Sequence, residues 1–469
     1  MAHIVCITSG LTGILYASFE LVRRLEAGGH TITYASPKEV GEKVRANGIR
    51  YEQLPGINFF PAPELPRFRG GLRKLQRWWY RWRQARSQSQ SAIQNLGMAD
   101  FRERLDRWSP DLLLIDVELH EHLMTAVSER VPTVLLSQWF SLWPSPGLPP
   151  LLHDTLPGMG WRGSEWGLRW AWQKVRWQRW WMFAKKRWRS VGTNRRSVLL
   201  AYGRQVGFPK EWMRENYWPG PITYQGLPVL SMTLWEMEFP HPPRPQLHYV
   251  GAMVDAERRE LRSDARVEAK LADLFAEKAR EKKSLIYCSV SSFKRGDHHF
   301  LQRLVRAVEK RSDWLLILSL GGLLEDELLT TVPANVYPFA WVPQIRVLAQ
   351  ADCSINHGGI HTINECIHHR VPMLVYSGKR SDQNGCAARV AYHQLGIMAD
   401  KDRDQVVDIE RNIEKILTDS RYREKVETMH HHYQAYKSDQ RLLRVLDPWL
   451  APVARAGVAK DGAPLKDYP

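Results

Sequence analysis

Residues 341–396 concentrate side chains able to grip a phosphorylated, hydroxyl-rich ligand. The run Asp352-Cys353-Ser354-Ile355-Asn356 leads into His357-Gly358-Gly359, and His361-Thr362-Ile363-Asn364-Glu365 follows. A glycine pair between a strand and a helix lets the backbone approach a phosphate. The helix start adds unpaired N–H groups and the positive end of its dipole. Thr362 can cap that helix. Glu365, one turn on, can accept two ribose hydroxyls. Further along, Asp382-Gln383 sets an acceptor beside a mixed donor and acceptor, a pair suited to reading sugar hydroxyls.

These groups need rigid elements behind them. The pattern predicts a short helix over VPQIRVLAQA, a buried strand over DCSINHGG, a helix from HTINECIHH, a strand over RVPMLVY and a helix over SDQNGCAARVAYHQLG. The other end of the chain opens in the same way. HIVCITSG reads as a buried strand, and ILYASFELVRRLEAGG as a helix with Leu15, Phe19, Val22 and Leu25 at helical spacing. TITYAS, IRYEQLP, DLLLIDV and PTVLLSQ are further strands, with the continuous apolar runs of a parallel sheet. SLIYCSVSS, WLLILSL and NVYPFA begin a second sheet, after a helix expected around 256–283. This alternation predicts an α/β chain of two facing Rossmann-like domains. The expected division is 1–240, then a Pro/His-rich linker at 239–246, then 250–430, with a disordered tail at 454–469.

The order Trp341-Val342-Pro343-Gln344, His357-Gly358-Gly359, Thr362-Ile363-Asn364-Glu365, Val371-Pro372 and Asp382-Gln383 resembles the donor signature of the family 1 UDP-dependent glycosyltransferases, including bacterial macrolide- and carotenoid-type members and plant ones. The resemblance implies a GT-B fold, with the donor on the second domain, the acceptor on the first, and a C-terminal helix (431–453) crossing back. It implies that Trp341 stacks on uracil and Gln344 sits beside the nucleoside, with Val342 also at the donor site. His357 and Thr362 would hold the diphosphate, Glu365 the ribose, and Asp382 and Gln383 the sugar, with Gly359 and His361 also at the donor site. Ser291 and Ser292 stand where the family has a Gly-containing phosphate loop, and their hydroxyls are expected to reach the diphosphate. Arg370 replaces a usual Gly, and His361 a usual Asn or Gly.

One departure bears on catalysis. The resemblance places a general-base His after the first strand, and this chain has Ile14 there. Its expected partner is present as Asp116, with His120 and His122 nearby, so Asp116 and His120 become the candidate catalytic residues. A base is worth about 10²–10⁴-fold. Its absence slows an enzyme without removing positioning. The reading is therefore an inverting transfer from a UDP-sugar, with UDP-glucose the expected donor, to a hydroxyl of a hydrophobic acceptor such as a hydroxylated carotenoid or lipid. The alternative is a catalytically impaired UDP-sugar-binding or partner subunit. The donor is a co-substrate, and no cofactor or metal is implied.

At 469 residues the chain has room for two cores. Five cysteines without a CxxC pair argue against a disulfide framework or a zinc site, and Cys6, Cys288 and Cys353 are expected to be buried thiols. The first residues read as strand and turn, and no apolar run is long enough to span a bilayer. A cytoplasmic protein, peripheral on the inner face of a membrane, is expected. The net charge of +16 is local. Residues 67–86 hold eight Lys/Arg and no acid, and 161–196 hold eleven and one Glu, so the remainder is about neutral. The second segment carries eight of the twenty tryptophans. Trp166, Trp170, Trp177, Trp181 and Trp188 form one helical stripe, with Arg176, Arg179, Lys185 and Lys186 among the cations between them. Tryptophan with cations suits an anionic membrane surface. The competing expectation is that the stripe lines the acceptor cleft. No nucleic-acid motif accompanies it, which argues against that partner.

Overall fold

Continuous apolar runs become parallel strands because helices cover both faces of such a sheet. The structure, a computed structural model, describes residues 1–56, 73–191, 193–215, 222–260, 264–289, 298–321, 332–379 and 382–450. In the first half, the strands are β1 (His3–Ile7), β2 (Thr31–Ser36), β3 (Tyr51–Gln53), β4 (Leu112–Asp116) and β5 (Thr133–Ser137). A short antiparallel pair, β6 (Met213–Glu215) and β7 (Ile222–Tyr224), stands apart from the sheet. Then β8 (Val229–Ser231) and β9 (Leu247–Tyr249) return to it. The order is β3-β2-β1-β4-β5-β8-β9, every pairing parallel.

The second sheet holds β10 (Ser284–Ser289), β11 (Trp314–Ser319), β12 (Val336–Phe339), β13 (Cys353–Asn356), β14 (Met373–Tyr376) and β15 (Gly396–Ala399). Its order, β12-β11-β10-β13-β14-β15, is also wholly parallel. In each sheet the order reverses next to the first strand, between β1 and β4 and between β10 and β13. Ligands of open parallel sheets bind at the strand C-termini there.

Leu15, Phe19, Val22 and Leu25 of the helix Thr12–Ala27 are all buried, as their spacing predicts. The same core takes Leu442 and Leu446 from the helix Arg441–Leu450, so the chain's last described helix packs on the first domain. All five cysteines are free and buried.

Two expectations need correction. The 239–246 stretch does not end the first domain, because β9 follows it and pairs with β8. Proline suppresses strand and helix locally, but it does not prevent the chain from re-entering a sheet. The helix expected from 256 begins only at Ala265, capped by the Asp264 side chain. The tail at 454–469, with Ser291 and Ser292, lies outside the described residues. Arg370 has φ +60°, the left-handed backbone for which a Gly at this position would be suited.

The helix Glu165–Ser190 has two apolar stripes. Leu168, Trp172, Val175 and Phe183 face inward and are buried, and the Trp172 indole donates to the Leu148 carbonyl at 2.7 Å. The other stripe, Trp166, Trp170, Trp177, Trp181 and Trp188, lies in solvent at 53–75% exposure. Trp79 and Trp82 on the helix Arg73–Gln94 are exposed as well. The outer stripe therefore does not pack in the core. Arg176, Lys185 and Lys186 are exposed beside it. Arg179 departs from the expected surface position: it is half-buried on the inward side, and burial lowers its pKa. Among the described residues no helix is long and apolar enough to cross a membrane.

Candidate functional site

The residues singled out in 341–396 converge at the C-terminal ends of β10 and β13. Beyond β13 the chain turns at Gly358, whose N–H donates to the Asn356 side chain at 2.9 Å. Gly358 has φ +84°, and a Cβ there would stand 2.9 Å from the Gln383 carbonyl oxygen. That contact brings the Asp382-Gln383 pair against the glycine turn. A Cβ on Gly359 would stand 2.6 Å from His357 Nε2, so the second glycine makes room for the imidazole. The helix Ile360–His368 starts immediately afterwards.

Glu365 is nearly buried and sits at the centre of a network. Gln344 donates to Oε2, and Arg258 forms an ion pair with Oε1. The Gln344 amide oxygen accepts from Tyr287 and Ser289 at 3.2 and 3.1 Å, which ties the network to the end of β10. Arg258 also pairs with Glu260 and stacks over Tyr16 of the first domain at 4.5 Å. Sequence reasoning missed Arg258. It lies in an irregular segment without a motif, and only the fold brings it to Glu365.

The electrostatics favour neutral imidazoles. Burial lowers the His357 pKa, so at neutral pH it offers one N–H and one lone pair rather than a cation. Burial pushes the Asp382 carboxyl up to about 6. Trp341 is 45% exposed. Thr362 is buried on the same helix as Glu365. Val342 is different from the rest of its motif. Its side chain packs in the apolar core with Val347 and Leu348, so it contributes no ligand-facing group.

The two domains meet across this site. His361 reaches Gln138, just beyond β5, with Nε2 2.8 Å from the amide oxygen. Asn384 Nδ2 and the Gly385 N–H donate to the carbonyls of Leu152 and Leu151. Arg389 forms a fully buried ion pair with Glu238, with its guanidinium 4.5 Å from both Phe140 and Phe239.

The proposed catalytic pair is not assembled. Asp116 is wholly buried, and its carboxylate accepts from the backbone N–H groups of Ser9 and Glu118 at 3.0 and 3.1 Å. It fastens the loop ahead of the first helix. His120 is a correction in full. It is buried, its Nδ1 bonds the Tyr224 hydroxyl at 2.9 Å, and burial drops its pKa to about 3. His122 is equally buried, edge-on to Phe101 at 4.7 Å, with a pKa also near 3. Ile14 faces the core rather than the cleft. Glu118 was not singled out from the sequence. Burial and the adjacent Asp116 charge push its pKa up to about 7.

Comparison with known proteins agrees with this geometry. Residues 313–444 match the family described as erythromycin biosynthesis protein CIII-like, C-terminal domain. An NDP-glycosyltransferase of Bacillus subtilis (strain 168) is 30% identical over 25% of this chain and 30% of its own length. A zeaxanthin glucosyltransferase of Pantoea ananas is 25% identical over 44% of each chain. An oleandomycin glycosyltransferase of Streptomyces antibioticus is 24% identical over 80% of this chain and 74% of its own. The chain thus spans less than half the length of the first three curated relatives it matches. Among solved structures, the glycosyltransferase of kitacinnamycin superposes with a TM-score of 0.66 at 19% identity, covering 96% of this chain and 99% of that one. The glycosyltransferase VinC in complex with dTDP gives 0.58 at 16%, covering 96% and 100%. The shared architecture is the GT-B fold.

Proposed function

We propose that this chain, which belongs to the family 1 glycosyltransferases of GT-B fold, moves a sugar from a UDP donor to a hydroxyl of a hydrophobic acceptor at an anionic membrane surface. The single observation that supports the donor most is the convergence of Gly358, Gly359, Gln344, Glu365 and Gln383 on one crevice at the end of β13. In that crevice the helix start and His357 would meet the diphosphate, Glu365 the ribose, and Asp382 with Gln383 the sugar. Trp341 would stack on the base. Transfer is by direct displacement with inversion, UDP leaving as the hydroxyl attacks. UDP-glucose is the donor to try first, and it is a co-substrate.

The acceptor reading rests on the helix Glu165–Ser190. Five exposed tryptophans on one stripe, with Arg176, Lys185 and Lys186 beside them, suit the headgroup region of an anionic bilayer. A peripheral position on the inner leaflet would give the first domain access to a lipid or hydroxylated carotenoid. The relatives named for zeaxanthin and oleandomycin keep both a carotenoid and a polyketide acceptor in view. A catalytically silent UDP-sugar-binding subunit is the competing reading. A thermal-shift screen of nucleoside diphosphates and their sugars, followed by mass spectrometry of products from a membrane-lipid extract, separates the two. Glycosylated product supports transfer. Stabilisation by UDP-sugars with neither product nor UDP release supports the binding subunit.

A further inference from the structure

We propose that His361, supplied by the donor domain, is the general base for the acceptor hydroxyl. The inference rests on the glycosyl-transfer reading above and assigns the step that Ile14, Asp116 and His120 leave without a residue.

His361 stands in the first turn of the helix Ile360–His368, beside the glycine pair. Its ring crosses the domain seam and lies on Gly13, at the start of the helix Thr12–Ala27. A Cβ on Gly13 would stand 2.5 Å from His361 Cδ2, so only a glycine admits the ring. The imidazole therefore sits between the donor crevice and the end of the first sheet, the two surfaces that must bring donor and acceptor together. Its orientation is fixed. The Gln138 amide oxygen can only accept, so Nε2 carries the proton. Nδ1 then carries the lone pair, and among the described residues it has no hydrogen-bond partner. His361 is also partly exposed, whereas Asp116, His120 and His122 are sealed in the core.

The charged groups facing it are Glu365 and Arg258, whose effects oppose each other, and burial holds its pKa at about 4. The ring is therefore neutral and able to accept a proton before substrate arrives. A bound diphosphate would add negative charge close by and raise that pKa, which strengthens the base only when the donor is in place. In the step itself, the acceptor oxygen forms a bond to the anomeric carbon and its proton passes to His361 Nδ1. The bond from that carbon to the diphosphate oxygen breaks, and UDP leaves with the electron pair. Gln138 acts as a positioning residue by fixing the tautomer.

The test compares two acceptors with UDP-glucose as donor. Decanol needs a base, and a dinitrophenol arrives already ionised. His361→Gln is predicted to lower kcat with decanol by about 10²–10⁴-fold and to lower it less than about tenfold with the phenol. His361→Gly should regain decanol turnover when imidazole is added. Equal losses on both acceptors would assign His361 to the donor rather than the proton. A collapse of UDP binding in the variant would do the same. Glu118→Gln showing the acceptor-selective loss would move the base to that carboxylate. Wild-type protein that binds no UDP overturns the donor reading itself. Wild-type protein that transfers sugar while His361→Gln transfers at the full rate overturns this inference alone.

Discussion

Arg258 and Glu365 form a buried ion pair between the segment joining the two sheets and the helix that opens the donor crevice. The carboxylate expected to receive a ribose is thus held in the free protein by Arg258 and Gln344. Loss of one partner from a buried pair costs about 3–5 kcal/mol, because the other charge is left uncompensated. Arg258→Ala should therefore destabilise the protein by that order in urea unfolding. Glu365→Gln in the same chain should recover a large part of the loss. Additive losses would mean that the pair does not couple the two segments.

Acid should unfold this protein early. His120 and His122 are buried and neutral, each with its pKa lowered to about 3. The unfolded chain binds those protons from about pH 6.5 downward while the folded chain does not, so stability falls as pH drops from about 6.5 towards 3. Each group contributes a slope of up to about 1.4 kcal/mol per pH unit. His122→Leu should remove about half of that paired contribution. Urea midpoints at pH 7, 6 and 5 that fall equally in both proteins would contradict it.

The exposed tryptophan stripe predicts lipid selectivity. Vesicles with anionic headgroups should pellet the protein and neutral ones should not, each nearby cation adding up to about 1 kcal/mol. Salt should weaken the attraction as the Debye length contracts to about 3 Å at 1 M. Changing Arg176, Lys185 and Lys186 to Gln should cut binding and spare UDP affinity. Arg179 is left in place because it is half-buried. Equal pelleting with both lipids, or none, would remove the membrane from the account.

The strands and the donor crevice were legible because period and spacing are local. The run from Cys353 to Glu365 reads as strand, turn and helix in sequence and folds that way. The partners brought from a distance were not legible. Arg258 meets Glu365, and Gln138 meets His361, only because the two domains face each other. His120 and His122 misled for a related reason. Nothing in LHEHLMTAVS shows that β7 and the helix Met98–Trp108 will bury both imidazoles, against Tyr224 and Phe101. The two faces of the helix Glu165–Ser190 were half legible. The stripe was visible in the spacing, but whether it faced solvent depended on what covered the opposite side.

Titration calorimetry with UDP tests the central claim most directly. The wild-type protein should bind UDP. His357→Ala and Glu365→Gln should each lose about 1.5–3 kcal/mol, roughly 10- to 150-fold in Kd, as a charge-assisted partner of phosphate or ribose is removed. No binding by the wild-type protein, or unchanged affinity in both variants, would contradict the assignment of this crevice to a nucleotide-sugar.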